Sequence, residues 1–191
     1  MGNNSLCYNI NTYNLVEFIM KANNYTGKNF EWEIRKSLDD VDCWWFRIQD
    51  TNDVSRFVKK AIAEKQPGDF FAVKDGTPIL IECKTSRNKT SFPLFYTKNR
   101  AIPEHQIQYA KDLVKEGGQA WFFIRKDIPR NKRVFALTPH QLDAIYCDAS
   151  RKSVKWDVIE KLGIELPRLS KPVRYDLTEL LNRIKGCEQN D

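Results

Sequence analysis

Apolar positions recur along this chain with two periods, and the changes between them mark out its elements. In "GKNFEWEIRKSLDD" (27–40), Phe30, Ile34 and Leu38 fall at i, i+4 and i+8, the spacing of one buried helix face. A polar start at 1–13 and "NLVEFIMKAN" (14–23) predict an irregular segment and a short helix. "CWWFRI" (43–48) predicts a strand, and residues 53–64 a further short helix. "PGDFFAVKDGTPILIECK" (67–84) holds two apolar runs divided by "KDGT", and Asp-Gly between such runs signals a hairpin. Residues 85–103 read as a long basic loop. "PEHQIQYAKDLVKEGG" (103–118) predicts a helix opened by Pro103 and closed by Gly117-Gly118. "AWFFIR" and "RVFALT" predict two strands. "TPHQLDAIY" predicts a helix capped by Thr138, and "VIEKLG" and "DLTELLNRIKG" two more. The order predicts one α/β domain, a central mixed β-sheet flanked by helices.

The hairpin raises a chemical question. A turn at Asp75-Gly76 pairs Lys74 with Thr77 and, carried back, sets Asp69 opposite Glu82. Opposed side chains lie roughly 4.5–5.5 Å apart at Cβ, and two bare carboxylates there repel. A divalent cation between them removes the conflict, and hard oxygen ligands select Mg²⁺, with Mn²⁺ as a substitute. Lys84 projects from the same face two residues on, while Ile79, Ile81 and Cys83 point to a core. The alternative is a surface cluster in which Lys84 bridges both acids without a metal. Leu80 and Phe71 share that face, which suits a partly buried cleft better. The 27–40 helix offers a third acid. Glu31 lies about 60° from the centre of the apolar stripe and Glu33 about 100° away, so Glu31 is the better candidate.

Charge adds a partner. The chain has 191 residues, a formal net charge of +6 and a pI near 9.0. No acid interrupts the stretch from Glu82 to Glu104, which carries Lys84, Arg87, Lys89, Lys98 and Arg100 among Phe92, Phe95 and Tyr96. "RKDIPRNKR" supplies Arg125, Lys126, Arg130, Lys132 and Arg133 around one acid, Asp127. Two basic clusters flanking a carboxylate pair predict polyanion binding through these residues. The five cysteines form no C-x-x-C, so neither a disulfide framework nor a zinc site is expected. No apolar run is long enough to cross a membrane and the start lacks the pattern of a signal peptide. A cytoplasmic protein without a membrane partner is expected.

"PGD…IECK" resembles the PD-(D/E)-x-K nuclease motif, here with Gly68 between proline and aspartate. "ECKTSRNKTSFPL" followed by "EHQIQYAKDLVKEGGQAWFFI" resembles the RecU family of Holliday-junction resolvases. "GKNFEWEIRKSL" is similar to that family's early G-x-x-x-E helix, and "RKSVKWDVIEKLG" to its C-terminal part. The resemblance implies a restriction-endonuclease-like domain over 25–191 behind an N-terminal extension at 1–24. It implies a magnesium-dependent, homodimeric endonuclease that resolves four-way DNA junctions. Asp69, Glu82 and the backbone carbonyl of Cys83 would hold metal. Lys84 would be the catalytic lysine, Glu31 an additional acid and Gln106 an active-site glutamine. Between Glu31 and Asp69 the family carries a long stalk, whereas "VSRFVKKAIAEKQ" here reads as helical. The rival readings are a restriction-type or nicking endonuclease acting on ordinary duplex, and a non-catalytic DNA-binding protein on a nuclease fold. For the dimer interface, Trp44, Trp45, Phe46 and the stretch Phe57–Ile62 are the apolar candidates.

Overall fold

The computed structural model describes residues 27–48, 65–96, 99–147 and 150–182. The expected helices at 14–23 and 53–64, the Phe57–Ile62 stretch, Lys98 and the chain beyond 182 lie outside them.

Helix α1 covers 27–39. Strand β1 (Trp44–Arg47) follows, then the hairpin strands β2 (Phe70–Lys74) and β3 (Thr77–Ser86). Three short strands, β4 (Ser91–Pro93), β5 (Phe95–Tyr96) and β6 (Asn99–Arg100), lead to helix α2 (Glu104–Lys115). Then come β7 (Gln119–Ile128), β8 (Asn131–Leu137) and α3 (Pro139–Tyr146). After β9 (Ser153–Lys155), α4 (Trp156–Leu162) and β10 (Ile164–Glu165), the chain closes with β11 (Arg168–Leu169), β12 (Arg174–Tyr175) and α5 (Thr178–Asn182). The central sheet is six-stranded, in the order β1-β2-β3-β7-β8-β10. Among the described strands only β3 and β7 pair in parallel, and α2 is the crossover that a parallel pair needs.

Helices and loops bury both faces of the sheet. On one, the Phe30/Ile34/Leu38 stripe of α1 packs on Ile79, Ile81 and Phe123, closed by Tyr175 and Leu180. On the other, Ile107 of α2, Leu142 of α3 and Ile159 of α4 pack on Leu80, Phe122 and Ile124. Side-chain alternation along β3 and β7 sends successive residues to opposite cores. The Thr138 cap is present as a full capping box, its hydroxyl accepting from Gln141 N–H while the Gln141 side chain accepts from Thr138 N–H.

The long basic loop is corrected. Thr85 and Ser86 complete β3, and Phe92 pairs with Val154 across β4 and β9. The alternating Phe92 and Leu94 enter the core, which holds this stretch to the domain despite its charge. Phe95 packs edge-on to Tyr146 with ring centres 6.2 Å apart, and of the three aromatics here Tyr96 alone is exposed.

Candidate active site

The site is built where the hairpin ladder stops. A turn with positive φ at both central residues, Asp75 (51°) and Gly76 (82°), fixes the expected register from Lys74↔Thr77 to Phe70↔Ile81. The next pair, expected as Asp69↔Glu82, is not a rung of that ladder. Instead the Asp69 N–H donates to the Ile81 carbonyl at 2.9 Å, and the Cys83 N–H donates to Asp69 Oδ2 at 2.7 Å. Gly68 explains this approach: a Cβ there would stand 3.0 Å from the Ile81 carbonyl oxygen and 3.0 Å from Leu80. In an extended strand, N–H and C=O of one residue share a side. The Cys83 carbonyl therefore points to the side on which Asp69 lies.

Glu82 is 2% exposed, on the face shared with Leu80 and Lys84. Its Oε1 is ion-paired with Lys84 Nζ, and its Oε2 accepts from Gln106 Nε2 at 2.9 Å. Gln106 is buried at the start of α2, and its Oε1 has no hydrogen-bond partner among the described residues. Glu31 comes from α1 and is held by Arg47 of β1 through Nε at 3.1 Å and Nη2 at 2.6 Å. Glu33 points elsewhere, accepting from Arg125 Nη1 at 2.9 Å and the Tyr175 hydroxyl at 3.1 Å. Glu31, Asp69, Glu82, Lys84 and Gln106 thus form one neighbourhood drawn from α1, the β2–β3 hairpin and α2.

Electrostatics separates these groups. Burial raises the Asp69 carboxyl to about 8, with the charges of Glu82 and Glu31 adding to the shift. Burial also pushes Glu82 up, against the pull of Lys84 and the Gln106 hydrogen bond. For Lys84, burial opposes the charge, but Glu82 and Asp69 outweigh it and hold the ammonium above the ordinary lysine value. Glu31 has Arg47, but Asp69 and Glu82 share Lys84 alone, so the cluster is short of positive charge.

That shortage fits a divalent cation. Asp69 and Glu82 are hard oxygen donors, and the unpaired Gln106 Oε1 is a buried acceptor awaiting a donor. Among the described residues no three His, Cys, Asp or Glu side chains are gathered as a ready metal cluster. The donors that fit are two carboxylates and a backbone carbonyl, with Glu31 available once Arg47 releases it.

The expected DNA contacts divide. Arg87 and Lys89 are exposed beyond β3, and Arg100 lies over the Tyr146 ring at 5.2 Å. Arg130 is exposed in the β7–β8 turn. Arg125 is corrected: it is 1% exposed, on the opposite face of the sheet from Glu82, with its guanidinium over Phe30 at 4.6 Å. Such a group meets no phosphate. Lys126 pairs with Glu160 at 3.2 Å, Lys132 with Asp127 at 3.0 Å, and Arg133 with Glu165 at 2.6 Å. The cluster's own Asp127, with Glu160 and Glu165 from farther along the chain, thereby offsets much of this second cluster. The Glu33–Arg125–Tyr175 network and the Arg47–Glu31 pair have no sequence signal, because their partners meet only through the tertiary fold.

The family model for RecU, "Recombination protein U", matches residues 12–183. Holliday junction resolvase RecU of Shouchella clausii is 36% identical over 109 residues, covering 56% of this chain and 49% of its own. That of Staphylococcus aureus (strain JH9) is 29% identical over 126 residues, covering 64% and 57%. The chain thus spans about half the length of the curated relatives it matches. Among solved structures, the Holliday junction resolvase Hjc of Archaeoglobus fulgidus aligns with a TM-score of 0.46 and 18% identity, over 73% of this chain and 95% of its own. Matched over residues 12–183 by the family model, this chain belongs to the RecU family.

Proposed function

We propose that this chain is a divalent-metal-dependent endonuclease that resolves four-way DNA junctions as a homodimer, with its nuclease domain over 25–191. The observation that carries the reading is the Asp69–Glu82–Lys84–Gln106 cluster at the broken end of the hairpin, with Glu82 and Gln106 buried and Asp69 and Lys84 partly so, in a chain of the RecU family. Mg²⁺ is the proposed ion, held by Asp69, Glu82 and the Cys83 carbonyl. When bound, it supplies Lewis-acid charge for the attack of water on a phosphodiester. Lys84 keeps its proton and sets a positive charge beside the reacting phosphate. The free Gln106 Oε1 accepts a hydrogen bond from the attacking water and so orients it. Glu31 is the additional acid. Arg87, Lys89, Lys98, Arg100 and Arg130 offer charge to the DNA backbone, a contact that positions without reading sequence.

The test is cleavage of a four-way junction against matched linear duplex in Mg²⁺, with binding measured separately in Ca²⁺. Junction cleavage that disappears in Asp69→Asn and Glu82→Gln, with binding retained, is the expected result. Equal cutting of both substrates would favour a nicking or restriction-type enzyme, and full activity in either variant would remove the site.

A further inference from the structure

Helix α1 and the β1 edge enclose a cavity of about 200 Å³ lined by Lys28, Glu31, Trp32, Arg35, Arg47 and Phe70. Three of these side chains are cations and one is an acid. That acid, Glu31, is matched by Arg47. Among the described residues neither Lys28 nor Arg35 is ion-paired; the Arg35 guanidinium rests over the Trp45 ring at 5.9 Å. The cavity therefore holds two positive charges in excess. Guanidinium forks suit the oxygens of a phosphate, and such a cavity repels a metal ion.

Its position selects the ligand. Glu31 lines the cavity and also acts on Asp69 and Glu82, so cavity and acid cluster are neighbours with a shared wall. A strand whose scissile phosphate lies at the acids carries its next phosphates into this region. Trp32, 48% exposed on the lining, gives an adjacent base a face to stack on. Resting on the nuclease reading, we propose that this cavity seats a backbone phosphate of the cleaved DNA strand, flanking the scissile one. Arg47 is then shared. A phosphate there competes with Glu31 for the guanidinium and frees the Glu31 carboxylate to turn to the acid cluster.

Lys28 and Arg35 are exposed, so Lys28→Gln/Arg35→Gln removes the excess charge with the fold kept. Lys115→Gln/Lys161→Gln removes equal charge at exposed positions elsewhere. Binding of a fluorescein-labelled four-way junction is read by anisotropy in Ca²⁺ across a salt series. The cavity variant should bind about tenfold more weakly or worse, with the slope of log affinity against log salt shallower by about one to two units. The control pair should keep the wild-type slope. Charge reversal, Lys28→Glu/Arg35→Glu, should deepen the loss. A cavity variant with the wild-type slope, or an equal change in both pairs, would overturn the assignment. Either result with a wild-type chain that cuts junctions sinks the cavity alone. A wild-type chain that neither binds nor cuts DNA sinks the nuclease reading and the cavity with it.

Discussion

Asp69 makes the site's chemistry visible to pH. Its carboxyl stands at about 8 in the folded chain against an ordinary value of 3.8, so the folded chain holds a proton that the unfolded chain has lost. Between those values unfolding releases a proton, and stability falls as pH rises. Glu82 shifts the same way, while the raised Lys84 changes nothing below its ordinary range. Without divalent ions the thermal midpoint should drop as pH rises from about 5 to about 8 and level off above it. Asp69→Asn should flatten that decline, and Mg²⁺ should restore the midpoint most at the alkaline end. Calorimetry in buffers of different ionisation enthalpy should find protons released on Mg²⁺ binding near neutrality. A flat wild-type profile would contradict the buried-acid picture. Arg125 tests the opposite face. Its guanidinium serves Glu33, Thr85 and the Phe30 ring, so Arg125→Met leaves a partly buried carboxylate without its cation. Urea unfolding should show a loss of about 3–5 kcal/mol, much of it recovered in Arg125→Met/Glu33→Met.

At the scale of elements, local signals carried the hairpin well. Asp-Gly set the turn, and alternation set which residues of β3 face which core. The i, i+4, i+8 stripe likewise placed α1 and selected Glu31 over Glu33. What alternation could not convey is the end of the ladder, because a departure from regular pairing depends on how closely two backbones approach. The same limit hid β4: Phe92 and Leu94 alternate, but cations between them resemble a loop until Val154 is present to pair with. The two hairpin glycines should separate stability from activity. Gly76 sits at φ 82° in open space, so Gly76→Ala should cost about 1–2 kcal/mol with cleavage by the folded fraction unchanged. Gly68→Ala should push the strand off the Ile81 carbonyl and displace Asp69, lowering cleavage by about 10²-fold. Steady-state cleavage beside urea unfolding on both variants measures the contrast. The reverse ranking would detach Gly68 from the site.

The whole molecule adds symmetry to this chemistry. Sequence order gave an α/β domain with a mixed sheet, but not the strand order or the one parallel pair, which rest on contacts between distant segments. Each chain carries one acid cluster among its described residues, and a four-way junction has two equivalent strands to cut. Paired cuts therefore call for two copies related by a two-fold axis. The described surface has one apolar feature suited to such contact. Trp44 (62% exposed) and Phe46 (44%) project from the edge strand β1, with ring centres 5.4 Å apart, and Phe46 continues onto Phe71 at 5.6 Å. Trp45, between them, turns to the core beside Phe70. Of the three aromatics expected at an interface, two are thus available. Sedimentation should give a dimer at micromolar concentration, and Trp44→Ser/Phe46→Ser should shift it toward monomer with the thermal midpoint nearly kept. On a junction held in a cruciform plasmid, the wild-type dimer should linearise by two cuts within one binding event. The variant should accumulate the singly nicked circle first. Linear product without a nicked intermediate from a chain that sediments as a monomer would exclude paired cutting by two copies.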